Sequence, residues 1–313
     1  MYVPILTNVL YPRKGGGGGG GGHGGGGGHG GGSESVSSGG RSGSSSSGKG
    51  ASVGSKGASV PVVAGGTLSS ATAYGAGGGK SSVIPSGQPF AGRSAGGGTR
   101  SEIYGTQTYG SGYPGVASRG VSSLNFPFVF WPVVWVPTPG YGLYPSYLYS
   151  QEYGRPSDTQ RPGGALDMAT FMSSTSNNTF HVMADASSIM SLMDSIRLSC
   201  TLSNGSSTTP TAYPDQPGPT TPHPEQVIQY YRASSVALTL DGYNNTAALS
   251  ENQTSPDVPL PGWVDHTTLN CLNSTIGQAV LLMDSAAMPQ AGFVPPTGLL
   301  ALLWTLVVLV VRW

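Results

Sequence analysis

His23 and His29 interrupt the glycine run 15–32 and are the first side chains in the chain that could hold a ligand. Imidazole together with backbone amide nitrogen suits Cu²⁺ or Ni²⁺, so the pair is a weak metal candidate. Two ligands in a chain of glycine make a loose site, and incidental histidine is the plainer reading. His181, His223 and His266 stand apart from one another, with no HExxH and no Cys/His cluster. Serine is abundant, yet no G-x-S-x-G elbow frames one, and there is no Walker motif. Matches to GxGxxG inside such a glycine tract carry no information. Asp265 beside His266 is a neighbour in sequence, which says nothing about a triad. No catalytic residue and no cofactor site is expected, and the chain is not read as an enzyme.

The chemistry that is expected is covalent modification. Cys200 and Cys271 are the only cysteines. An even count beside secretory features favours a disulfide; two buried thiols in a reduced compartment are the alternative. The bridge would close about 72 residues, roughly 4 kcal/mol in the chain-entropy account. Five N-x-S/T acceptors begin at Asn177, Asn204, Asn244, Asn252 and Asn273, and none falls in the glycine-rich half. That grouping points to a secreted N-glycoprotein. Asn273 is the least convincing, because it lies near the apolar face of its own helix.

The C-terminus carries a third modification signal. Leu299–Val311 is apolar and uncharged, followed by Arg312 and Trp313. Thirteen helical residues reach roughly 20 Å, short of a hydrocarbon core of about 30 Å. Ser285-Ala286-Ala287 is a run of small residues, and Met288–Gly298 is an uncharged spacer. Small triplet, spacer and apolar end are the layout of a glycolipid attachment signal, with lipid attached at Ser285 or a neighbour and the tail removed. Residues 285–313 are therefore a GPI-type signal or a C-terminal membrane anchor. The matching leader is not visible. Val3–Leu10 is broken by Thr7 and Asn8, and Arg13 and Lys14 follow the apolar stretch where a leader would have them precede it. Either an upstream segment is missing or the tail anchors the chain from the cytosolic side.

The elements that would position these groups differ sharply along the chain. Of 51 glycines, 39 lie between Gly15 and Gly120, interleaved mainly with serine. Such a stretch offers too little apolar surface to offset its ordering entropy, so 1–120 is read as a disordered low-complexity arm. Up to Arg119 the charge is +7, nine Lys/Arg against two acids; the remainder is −7, five against twelve. The sparse basic residues keep the arm soluble or contact polyanions weakly; they are too thin for a specific nucleic-acid site. Tyr74-Gly75, Tyr104-Gly105 and Tyr109-Gly110 are candidate points of self-association. Within the aromatic and proline-rich segment 121–163, Phe126–Val136 carries five aromatics and two prolines. It is read as an extended strip on the folded domain, with an exposed membrane or partner patch as the alternative.

Residues 164–284 carry globular signals, and the fold class is α+β: three helices and a few short strands, closed by one disulfide. Met168–Met172, Phe180–Met183 and Val236–Leu240 read as strands. Asp185 caps a first helix with Ile189, Leu192, Met193, Ile196 and Cys200 on one face. Pro224–Ala233 reads as a second helix with proline in its first turn. Asp265 or Thr267 caps a third, bearing Leu269, Leu272, Ile276, Val280 and Met283. The bridge would staple helices one and three.

Ser101–Gly112, Phe126–Trp135, Arg161–Gly164 and Pro224–Asn245 together resemble a group of uncharacterised fungal, basidiomycete-type proteins with glycine-rich N-terminal halves and apolar C-termini. The resemblance implies no activity and carries no catalytic motif. The order of parts is also similar in outline to prion proteins: Gly/His arm, apolar stretch, small disulfide-closed glycosylated domain, lipid signal. The expectation is a membrane-anchored glycoprotein of the cell surface, on the outer leaflet, with a structural or adhesive role and cell-wall polysaccharide as a candidate partner. The rival is a cytosolic, tail-anchored scaffold whose basic arm recruits polyanions.

Overall fold

The computed structural model describes residues 59–64, 67–116, 119–137, 144–148, 151–252 and 254–284, all within one compact unit, Ser52–Trp313. His23, His29, Ser285 and the apolar tail lie outside the described residues. In chain order the strands and helices are β1 (Ser59–Ala64), β2 (Thr67–Thr72), β3 (Ser82–Val83), β4 (Ser94–Ala95), β5 (Leu166–Met172), β6 (Thr179–Asp185), α1 (Ala186–Ser199), β7 (Thr211–Ala212), β8 (Val227–Tyr231), β9 (Val236–Leu240), α2 (His266–Ala279) and β10 (Leu282–Met283).

The centre is a five-stranded antiparallel sheet in the order β7-β5-β6-β9-β8. Phe171 pairs with Phe180 and Phe180 with Leu240; Ala169 pairs with Val182 and Val182 with Leu238. Every residue of β9 is buried, Ala237 and Thr239 included, so both faces of the sheet are covered at that strand. The expected strands are all present, as is the expected α+β class.

α1 forms where expected because Asp185 caps it, its carboxylate accepting from the Ser188 amide at 3.0 Å. Ile189, Leu192, Met193 and Ile196 recur at helical spacing and are all buried. α2 begins at Asp265, the expected cap, which accepts from the Thr267 and Thr268 amides; Leu269, Leu272 and Ile276 face inward. The helices pack on each other and are joined by the Cys200–Cys271 disulfide, with Cα atoms 5.8 Å apart.

Three expectations change. Pro224–Ala233 is not a helix. Only Pro224–Gln226 makes a 3₁₀ turn, and Val227–Tyr231 is β8, paired with β9. Val227, Ile228, Tyr230 and Tyr231 are β-branched or aromatic and favour a strand once a partner is beside them. The hairpin then turns through Arg232, Ala233 and Ser234, three consecutive residues with φ of 51°, 47° and 58° and no glycine. The described fold therefore holds two α-helices.

The second change is the reach of the fold. The arm does not extend to residue 120: from Ser59 the described residues up to 120 are part of the fold. β1 pairs with β2 along its length, and β10 adds to the other side of β2. Val62, Ala71, Ala73, Ile103, Tyr109 and Tyr113 are buried. Arg100 reaches the last turn of α2, donating to the carbonyls of Gly277 (3.2 Å) and Val280 (2.7 Å), a cation where the helix dipole favours one. Glycine in this stretch allows contact: a Cβ on Gly98 would sit 2.6 Å from the Phe128 ring. Glycine here gives close backbone approach where a larger residue would not fit.

The third concerns the boundary at 121–163: its described residues pack into the folded domain, as the strip reading expected, and are not a segment apart from it. Phe126, Phe128, Phe130, Val133 and Trp135 are buried, and Trp135 Nε1 donates to the Tyr230 hydroxyl at 2.9 Å. The strip is not extended throughout: it turns at Pro127–Phe128, where the Val129 amide donates to the Phe126 carbonyl at 3.0 Å and Val129 takes a φ of 73°, and it fills the interior. The folded domain is therefore not confined to 164–284.

Candidate functional site

The groups expected to be modified gather at one end of the central sheet, the end where β5 stops and β6 starts. Asn177 lies in the β5–β6 connection, where the Ser173 amide donates to the Asn178 carbonyl at 2.9 Å. Asn204 sits in the turn 203–206. That turn is tied to the last residue of β5, since Ser203 N donates to Met172 O and Met172 N donates to Ser206 Oγ, both at 2.9 Å. Asn244 follows β9, whose next residue, Asp241, bonds through its amide to the Thr179 carbonyl at the start of β6. Asn252 follows the 3₁₀ turn Thr246–Leu249, which packs on the turn preceding β8 at the same end. All four side chains are exposed.

Asn273 differs. It is half-buried on α2, and its Oδ1 accepts from the Tyr231 hydroxyl at 2.8 Å. The third residue of its acceptor triplet, Thr275, is buried with its hydroxyl 3.7 Å from Cys200 Sγ.

Asp265 holds this end together. Its carboxylate accepts from the hydroxyls of Ser173 (2.6 Å), Thr175 (2.9 Å) and Thr268 (2.8 Å) and from the Thr267 and Thr268 amides. The Ser173 hydroxyl, then the other donors, hold the carboxyl well below the usual carboxylate range. The Asn177 loop is thus pinned to the start of α2.

The opposite end is built on a buried ion pair. Asp185 closes β6 opposite Leu166, and its Oδ2 accepts from Arg232 Nη2 at 2.5 Å. Arg232 also donates to Ser235 Oγ (2.7 Å), Ser188 Oγ (2.8 Å) and the Leu281 carbonyl (3.0 Å), and its guanidinium lies 3.6 Å from the centre of the Phe130 ring. Burial lowers its pKa, and the Asp185 charge opposes the shift. Leu281 leads directly into β10. The last described residue, Asp284, is held by the Thr72 hydroxyl (2.5 Å) and the Gly77 amide (2.9 Å).

Sequence reasoning missed one row of side chains. Thr170 Oγ1 lies 3.0 Å from His181 Nδ1, and His181 Nε2 lies 3.1 Å from Asp241 Oδ1. The register places Thr170 opposite His181 and His181 opposite Thr239, two residues before Asp241. Only strand pairing brings these residues together, so linear spacing could not reveal them. Hydroxyl, imidazole and carboxylate in this order form a nucleophile–base–acid row. The Thr170 amide, which could donate to an oxyanion, is bonded to Ser207 Oγ at 3.0 Å. The row ties β5, β6 and the end of β9 to one another. Elsewhere, the His223 Nδ1 and the Tyr144 hydroxyl meet at 2.9 Å in the interior, and His266 is exposed at the start of α2. Among the described residues no cluster of His, Cys, Asp and Glu could hold a metal.

Of the expected association points, Tyr109 is buried and donates to the Val133 carbonyl, while Tyr74 and Tyr104 are half-exposed. Among the described residues no helix is long and apolar enough to cross a membrane. Comparison of the chain with protein-family models, with curated proteins and with solved structures finds no match in any of the three.

Proposed function

We propose that this protein is a non-enzymatic, N-glycosylated surface protein, held to a membrane through its C-terminal segment and serving a structural or adhesive role. One observation supports the reading: the exposed acceptor asparagines and Asp284, the last described residue, are at opposite ends. β5 spans seven residues, so those ends are about 20 Å apart at about 3.4 Å per step. A domain tethered beyond Asp284 would present Asn177, Asn204, Asn244 and Asn252 away from the tether, where bulky glycans meet solvent. The Cys200–Cys271 disulfide supports an oxidising compartment.

Peptide-N-glycosidase treatment of the native protein should raise its gel mobility, and site-resolved mass spectrometry should find Asn273 unmodified. Phosphatidylinositol-specific phospholipase C should release the protein from membranes. An unchanged mobility together with two reactive thiols would overturn the reading and leave the cytosolic, tail-anchored scaffold in its place.

A further inference from the structure

A groove of about 400 Å³ opens between Val134–Pro137, the turn Gln151–Pro156 and the Asp215–Gln216 loop. That volume falls in the range of small-ligand sites. Its walls are apolar, formed by the extended run Val134–Pro137 and by Pro156, and its rim is polar. Gln151, Arg155 and Gln216 are exposed there, and their side chains make no hydrogen bond among the described residues. Asp215 is fixed: its carboxylate accepts from the Ser157 hydroxyl (2.7 Å) and amide (3.0 Å), which hold its pKa below the usual range. Gly154, at φ 72°, makes the turn that brings the Gln151 and Arg155 side of the rim round.

We infer that this groove binds a neutral saccharide, as a short oligomer or a segment of a longer chain. The charge of the rim selects against other ligands. One guanidinium and one carboxylate cancel, so an anion would meet Asp215 and a cation would meet Arg155. A wholly apolar ligand would cover Gln151, Arg155 and Gln216 and leave these three polar side chains without partners, which is costly. A sugar ring offers what the groove offers in reverse. Its C–H face matches the Val134–Pro137 and Pro156 walls, and its ring of hydroxyls can donate to Asp215 and exchange hydrogen bonds with both amides and Arg155. The inference deepens the adhesive reading above by giving it a ligand class, and rests on that reading for its setting alone.

The test uses the full chain on an array of neutral hexose and N-acetylhexosamine oligosaccharides of two to eight units, beside sulfated oligosaccharides and proline-rich peptides. Retention on at least one neutral series is expected. Asp215→Ala and Gln216→Ala should each weaken it about tenfold or more, with unchanged melting temperature for Gln216→Ala, whose side chain is exposed and makes no hydrogen bond among the described residues. Met190→Ala, on the exposed side of α1, should bind as the parent does. The inference is overturned by no retention on neutral glycans, by retention insensitive to both groove variants, or by preference for the sulfated or peptide probes. Neutral-glycan binding by a chain that peptide-N-glycosidase does not shift and whose two thiols react would uphold the groove and sink the surface reading; the converse result would do the reverse.

Discussion

Asp185 performs two tasks that substitution can separate. Its Oδ1 caps α1 through the Ser188 amide, and its Oδ2 neutralises Arg232, which is wholly buried. Asp185→Asn keeps a capping oxygen and removes the charge. Arg232 is then a buried cation facing a neutral amide, and breaking a buried pair from one side costs about 3–5 kcal/mol. Asp185→Ala loses the cap as well, typically about 1 kcal/mol more. Domains of this size hold about 5–15 kcal/mol in total, so either variant should move the denaturation midpoint far. Arg232→Met removes the cation, leaving the Asp185 carboxylate, both serine hydroxyls and the Leu281 carbonyl short of donors. The double variant Asp185→Asn/Arg232→Met should be less destabilised than the sum of the singles by more than about 1 kcal/mol, because the two groups touch. Urea denaturation at neutral pH under oxidising conditions measures all four corners of the cycle. A cost below about 1 kcal/mol for Asp185→Asn, or additivity within about 0.5 kcal/mol, would refute the claim that this pair organises the hairpin end.

Other outcomes are equally direct. Gly110→Ala should lose several kcal/mol by thermal melting, because its φ is 93° and a Cβ there would collide with the Gly120 carbonyl, which is backbone and cannot swing aside. Reduction of Cys200–Cys271, or the double alanine variant, should lower stability by roughly 4 kcal/mol, and an unchanged urea midpoint would contradict the α1–α2 staple. Asp265 has a depressed pKa in the fold, so its contribution is present above the ordinary carboxylate pKa. It is lost as the pH falls from about 4 through the folded value. Asp265→Ala should cost about 1 kcal/mol at neutral pH and flatten the acid limb of the stability profile; the group is partly exposed, which keeps the figure small.

The helices were legible because each carries its own cap and a stripe at helical spacing: Asp185 with Ile189 to Ile196, and Asp265 with Leu269 to Ile276. The alternation of Val236, Leu238 and Leu240 marked β9, though not that Ala237 and Thr239 are buried as well. β8 was misread because nothing local announces a turn at Arg232–Ser234. Residues other than glycine rarely run consecutively through positive φ, and it takes Gly110 N on Ser234 Oγ and Val133 N on Ser234 O to hold them there. Residues 59–120 were misread for the opposite reason. A few apolar side chains spaced among glycines look like a failed core until the segments that surround them, such as Phe126–Trp135, are in place. The Thr170–His181–Asp241 row lay beyond sequence reasoning, since it exists only in one register of β5, β6 and β9.

β2 takes one neighbour from each extreme of the fold: β1 through a tight hairpin, and β10 through Thr72 and Leu282, 210 residues apart (282 − 72). Ribosomes add about 5–20 residues each second, so β2 is made about 10–40 s before the strand that completes its sheet. In that interval Val62, Ala71 and Phe130 lack Leu281, the partner that later closes their cluster. Completion waits on contacts more than 200 residues apart in sequence, the kind that form slowly. The nascent chain would therefore show β2 and its cluster open to chaperones until β10 is made, and a circular permutant that joins β10 to β1 should fold faster than the parent.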